Sequence, residues 1–356
     1  MKARLPKWRL MAMLTTLSLL LSGCGEPFLS TLQPAGEVAQ TQYDLMVLST
    51  LIMVGVIVVV TIIYAIAIIR FRRKKGDENK IPKQVEGSHT LELVWTIIPI
   101  ILLLILAVPT VAATFKLADT SGIDAVDEEG NKEALVVNVR ANLYWWEFEY
   151  PDLGIVTAQD LIVPTDEKVY FNIEASDVKH SFWIPAAGGK IDANVDGVNT
   201  FYLEFDDAKA NEAGNLFYGK CTELCGPSHA IMDFKVKALD RTEFNEWTTA
   251  MQNSEETVPT SKVAQQGQEI FQNNCLGCHA TSSTAGAGAV GPNLANFGER
   301  TQIAGWLDHD KETLKDWIKN PQTLKPGNKM PGFEKTLNDQ ELEALSEYLM
   351  GLKVLD

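Results

Sequence analysis

Apolar positions fall into four regimes along this chain. Residues 10–21 are a short apolar run behind Lys2, Arg4, Lys7 and Arg9. Residues 45–69 and 93–115 are longer runs, of 25 and 23 residues, with no charged side chain in either. At ~1.5 Å per residue, each is long enough as a helix to cross a ~30 Å hydrocarbon layer. Neither has the polar stripe of a buried amphipathic helix, so both are predicted to span a membrane, the second kinked at Pro99 and Pro109. From residue 134 to about 239 the pattern shortens to β-rich runs at 135–139, 144–150, 168–173, 200–205 and 233–236, separated by Pro-Asp, Gly-Gly and Asp-Gly turn signals. That predicts an all-β sandwich or barrel. Residues 252–261 are polar and aperiodic, as expected of a solvated linker. Helical spacing then returns near 262–273, 311–319 and 339–352, with Asp339 the expected cap of the last helix. The chain is thus expected to comprise a leader (1–23), a membrane part (24–116), a β domain (117–251), the linker, and an all-α domain (262–356).

Charge orients this plan. Arg70, Arg72, Arg73, Lys74, Lys75, Lys80 and Lys83 lie between the two spans, whereas residues 24–44 contain no Lys or Arg. The excess of basic residues places that loop in the cytoplasm and both flanking parts outside. The whole chain has 31 Lys plus Arg against 46 Asp plus Glu, a formal charge of −15. Such a balance argues against nucleic acid as a partner, because that affinity depends on basic residues releasing counterions. Residues 114–356 carry 39 of the acids and only 20 of the bases, a surface able to steer a basic soluble protein at low salt.

Five cysteines cannot all pair within one chain. The first follows the basic and apolar segments directly, in Leu21-Ser-Gly-Cys24, the order of a secretory signal. The segment resembles the lipobox of bacterial lipoproteins, which implies acylation (palmitate) at Cys24 and attachment to the outer membrane face. An ordinary signal with a chance cysteine is the alternative.

The string Cys221-Thr-Glu223-Leu-Cys225-Gly-Pro-Ser-His229-Ala-Ile-Met232 gathers two thiols, an imidazole and a thioether within twelve residues. Gly226-Pro227 interrupts any helix there, so it reads as a loop around a metal. The soft ligand set favours copper, and structural zinc, which usually takes four Cys or His ligands, is the alternative. His180, read as a strand end leading into a loop, is the best further ligand. The second string, Cys275-Leu-Gly-Cys278-His279, is the attachment motif of a covalent c-type haem; a redox dithiol or half a zinc site is the alternative. Met330, in Lys329-Met-Pro-Gly-Phe333, is the candidate sixth ligand, with Met350 its rival on a packed helix.

Residues 91–240 resemble subunit II of the haem-copper oxidases, on the complete C-x-E-x-C-G-x-x-H-x-x-M string and the upstream Asp177-Val-Lys-His180-Ser element. Residues 262–356 resemble a class I cytochrome c, on Gly267, Phe271, Gly291-Pro292-Asn-Leu294 and Tyr348. Together they resemble the caa type, in which subunit II carries a fused cytochrome. The fold class implied is a two-helix transmembrane hairpin, an all-β cupredoxin-like Greek-key barrel and an all-α class I cytochrome c domain.

The resemblance implies dinuclear copper A held by His180, Cys221, Cys225, His229, Met232 and the Glu223 carbonyl, with the Glu223 side chain helping to bind magnesium at the subunit I interface. It implies that Tyr144, Trp145 and Trp146 belong to an aromatic strip that receives electrons; packing in the barrel core or anchoring at the membrane interface is the alternative. Glu92 matches the mouth of a proton-uptake path. The expected partners are subunit I, with haem a and copper B, subunit III, membrane lipid, and a soluble or membrane cytochrome c as donor. The expected function is electron transfer from haem c through copper A to an oxygen-reducing, proton-pumping partner. The alternatives are a copper A subunit of a nitric oxide reductase, a membrane-anchored carrier without an enzyme partner, and a copper chaperone.

Overall fold

The computed structural model describes residues 7–21, 25–72, 76, 81, 84–126, 128–130, 132–254, 259–283 and 290–355; Cys24 lies outside them. The chain divides into two compact units, Gln40–Asp119 and a larger one formed by Met1–Ala39 with Thr120–Asp356.

Helix α1 (Lys7–Leu21) is followed by α2 (Glu37–Phe71) and α3 (His89–Leu117). Of α2 only Val38 and Ala39 are buried within the chain, and of α3 nothing is. An apolar surface of that length needs a hydrocarbon solvent, and a helix satisfies its own backbone there. The structure keeps α3 continuous through both Pro99 and Pro109.

Strands β1 (Leu135–Asn142), β2 (Trp145–Tyr150), β3 (Ile155–Ala158), β4 (Asp160–Pro164), β5 (Val169–Ala175), β6 (His180–Ile184), β7 (Gly188–Ala193) and β8 (Asn199–Leu203) precede the short helix α4 (Asp207–Glu212). After it come β9 (Leu216–Cys221) and β10 (Asp233–Leu239). They make two five-stranded sheets, ordered β3-β2-β1-β5-β8 and β4-β10-β9-β6-β7. Pairing is antiparallel except for β1 with β5 and β4 with β10. Aromatic rings fill the space between the sheets: Phe182 stacks on Phe234 at 4.8 Å, and Trp146 packs edge-on against Phe182 at 5.6 Å. His180 opens β6 instead of ending a strand, because Ser181 and Phe182 continue the pairing with β7.

Helix α5 (Arg241–Gln252) closes the barrel, burying Phe244, Trp247 and Met251. It takes in Gln252, whose amide donates to the Leu153 carbonyl at 2.8 Å, so the expected linker begins later than its polarity suggests. The all-α part has α6 (Lys262–Asn274), α7 (Lys311–Lys319), α8 (Pro321–Leu324) and α9 (Asp339–Met350). Helices α6 and α9 cross so closely that a Cβ at Gly267 would lie 2.0 Å from the Ala344 carbonyl oxygen. The cap of α9 is Asn338, not Asp339: Asn338 Oδ1 accepts from the N–H of Gln340 and Glu341, and the Glu341 side chain accepts from Asn338 N–H. Asp339 is already the first helical residue.

The all-α part is docked on the barrel. Val156 N–H donates to Ser283 O at 2.7 Å along the outer edge of β3, and Thr157 Oγ1 donates to Asn296 Oδ1 at 3.2 Å in a buried contact. Thr301 N–H donates to Asp160 Oδ2 at 3.1 Å, and Ser228 Oγ to Pro326 O at 2.7 Å. A sheet edge that would otherwise be open is thereby covered.

Candidate metal and haem centres

The first site is the loop between β9 and β10. Cys221 Sγ lies 3.8 Å from Cys225 Sγ and 3.8 Å from His180 Nδ1, while Cys225 Sγ lies 3.7 Å from His229 Nδ1 and 3.8 Å from Met232 Sδ. The Glu223 carbonyl oxygen is 3.4 Å from Cys221 Sγ. All six candidate ligands therefore converge, four from the loop, Cys221 from the end of β9 and His180 from β6. The Trp146 ring, wholly buried beneath them, donates Nε1–H to the Met232 carbonyl at 3.3 Å and fixes the loop's far end. Gly226 turns the loop at φ +136°, a left-handed conformation, and a Cβ there would fall 2.4 Å from the Tyr144 hydroxyl.

Electrostatics suit a metal pair. His180 Nε2 faces Asp177 Oδ1 at 3.0 Å, so its proton sits on Nε2 and the Nδ1 lone pair is directed at the sulfurs. The hydrogen bond between the thiols pulls Cys221 well below its ordinary value and pushes Cys225 up: one proton is shared where a cation would displace both. With metal–thiolate bonds of ~2.3 Å, sulfurs 3.8 Å apart leave room for an ion on either side of the line joining them. The residues fit the group.

The second site is a mostly apolar cleft between the all-α part and the barrel, with a cavity volume of ≈ 150 Å³. Cys278, His279 and Met330 line it, whereas Met350 packs against the helical core outside it. Cys275 is half-buried against that core, where burial pushes its thiol up to about 11. His279 Nδ1 donates to the Pro292 carbonyl at 2.8 Å, and burial holds the imidazole below its ordinary pKa. The ring is therefore neutral with Nε2 free to bind iron. Buried Arg300, with Nε unpartnered, and Lys325, 2% exposed, also line the cleft. Burial pushes the Lys325 ammonium down to about 7. The buried Arg300 guanidinium, with an unpartnered Nε–H in a mostly apolar cleft, fits a carboxylate of a haem, while Lys325 Nζ donates to Ala304 O at 2.6 Å.

The third wall is supplied by the barrel: Leu143, Tyr144, Trp145 and Gln159 line the same cleft. Tyr144 is buried, and a Cβ at Gly327, on the Met330 side, would come within 3.2 Å of its hydroxyl. Of the expected aromatic strip, Tyr144 and Trp145 thus face the haem cleft and Trp146 the copper loop. Glu92 stands in the first turn of α3, its Oε2 4.0 Å from His89 Nδ1. Asp177 enters the sequence reading only within the motif that carries the resemblance, with no role of its own, and Lys325 does not enter it. The acid three residues before His180 was a usable signal, but nothing local marks Lys325.

Three family models match: cytochrome c oxidase subunit II, transmembrane domain, over residues 31–113; cytochrome c oxidase subunit II, periplasmic domain, over 153–239; and cytochrome c, over 264–353. Cytochrome c oxidase subunit 2 of Bacillus sp. (strain PS3) is 60% identical over 99% of this chain and 100% of its own length. The chain belongs to the cytochrome c oxidase subunit II family. The corresponding protein of Bacillus subtilis (strain 168) is 59% identical over 97% of this chain and 98% of its own. A crystal structure of the periplasmic domain of subunit II of cytochrome oxidase from Bradyrhizobium japonicum is 28% identical, with a TM-score of 0.29, over 32% of this chain and 91% of that one.

This subunit II is therefore of the type with a C-terminal cytochrome c domain, a membrane protein with an extracellular part. It works in electron transfer within a haem-copper oxidase, with subunit I as partner; its periplasmic domain implies copper A and its cytochrome domain implies haem.

Proposed function

We propose that this subunit relays electrons inside one chain, from a haem c in the Met330 cleft to copper A in the Cys221–Met232 loop and on to subunit I. Cys275 and Cys278 would hold the haem through their sulfurs, and His279 and Met330 would bind its iron. His180, Cys221, Cys225, His229, Met232 and the Glu223 carbonyl hold the copper pair. When bound, these groups supply reversible one-electron chemistry. The protein's own part is to keep every ligand rigid, so that little reorganises as an electron passes.

Tyr144 carries this reading, because its ring lines the haem cleft while its hydroxyl lies against Gly226, next to Cys225. Tyr144 thus spans from the cleft to the Cys221–Met232 loop. Replacing Tyr144 by Leu should slow haem-to-copper transfer at least about tenfold with both centres loaded, while Tyr144→Phe, which keeps the ring and loses the hydroxyl contact, should fall between it and wild type. Equal rates in all three proteins would refute a path through Tyr144.

The remaining assignments follow the same plan. Acylated Cys24 anchors the chain outside the membrane, Glu92 opens proton uptake, and the Glu223 carboxylate helps hold magnesium against subunit I. Subunit III completes the complex, and the acidic outer surface receives a basic cytochrome c as donor.

A further inference from the structure

Asp177 stands between the two centres and touches both of their supporting structures. Oδ1 accepts from His180 Nε2 at 3.0 Å and from Val178 N–H at 2.8 Å; Oδ2 accepts from Leu143 N–H at 2.9 Å and from Lys329 Nζ at 3.1 Å. Lys329 belongs to the cytochrome domain and immediately precedes Met330, and its residue lines the haem cleft. Leu143 immediately precedes Tyr144. Four donors on its two oxygens fix the Asp177 carboxylate at the back of His180.

We propose that Lys329, Asp177 and His180 form a positioning relay through which the docked cytochrome domain tunes the copper centre. The proposal rests on the assignment of His180 as a copper ligand. A carboxylate accepting Nε2–H makes the opposite nitrogen, Nδ1, a stronger donor and stabilises the oxidised metal. An ammonium on the far oxygen withdraws part of that charge, so the copper centre becomes easier to reduce. This contact exists only while the cytochrome domain lies on the barrel as described, so acceptance is favoured when the internal donor is in place. The Lys329 side chain is 55% exposed and that of Asp177 12%, and a half-exposed ion pair of this kind contributes little to holding domains together. Its effect belongs to the copper site it reaches through His180.

The test uses the purified oxidase complex carrying the full chain, with the copper midpoint potential read from its near-infrared band during a redox titration. Lys329→Met should lower the potential, Lys329→Glu should lower it further, and Lys329→Arg should restore it. Asp177→Asn should raise it, and in that background most of the Lys329→Met shift should disappear. Lys329 lies at the surface, so its own series decides the matter even if Asp177→Asn loads copper poorly. The relay is overturned if Lys329→Met and Lys329→Glu move only the haem potential, or if their effect on copper is undiminished without the Asp177 carboxylate. A His180→Asn protein that kept the wild-type copper band would instead overturn the ligand assignment, an outcome distinct from either of these.

Discussion

Met330 and Met350 show how a fold separates two chemically equal residues. Both pack beside the helical core, but only Met330 lines the cleft that also holds His279. Met330→Ala should turn the reduced haem high-spin and five-coordinate in optical spectra, whereas Met350→Leu should leave it low-spin. In the copper loop each sulfur faces the other and one imidazole, so Cys225→Ser should abolish the near-infrared copper band and leave the haem spectrum unchanged. Most of these candidate ligands were legible in sequence because soft donors cluster at short spacing within two strings, while His180 and Met330 stand outside both. Their supports were not. Asp177 meets Lys329 across 152 positions, and Tyr144 reaches Gly226 within the barrel and Gly327 in the all-α part; no local pattern encodes contacts of that separation.

At the scale of elements, the haem domain depends on the crossing of α6 and α9. Gly267 permits that approach, and Phe271 and Tyr348 lock it with ring centroids 5.6 Å apart. Gly267→Val would drive a side chain into the Ala344 carbonyl and should lower the melting temperature of the haem domain, followed at its haem absorbance, far more than Asn338→Ala. The latter removes one cap and costs about 1 kcal/mol. The spacing that marked α6, α7 and α9 survives because each has one wet face. Strands β3 and β4 escaped notice because every residue in both is buried, so alternation vanishes. Helix α5 did carry a signal, Phe244, Trp247, Thr248 and Met251 on one face behind the Asp240 cap, which the expectation of a barrel continuing to 251 obscured.

At the scale of the whole molecule, the spans, β domain and cytochrome domain were all visible as changes of hydrophobic period. What pattern could not convey was docking. The barrel supplies the third wall of the haem cleft, and the expected linker is tied at its start by Gln252 and by the Ser254–Ser283 hydrogen bond at 2.8 Å. Glu92→Gln, remote from both centres in sequence, should slow oxygen turnover at saturating donor while copper and haem content stay at wild-type levels. The central claim is a relay within one chain. Its most direct test is to photoreduce the haem c of the purified complex, with no soluble cytochrome present, and follow haem oxidation together with loss of the copper near-infrared band. The account predicts that both change at one first-order rate, independent of protein concentration and of salt. Copper that remains oxidised until an external cytochrome is added, or a rate proportional to protein concentration, would contradict it.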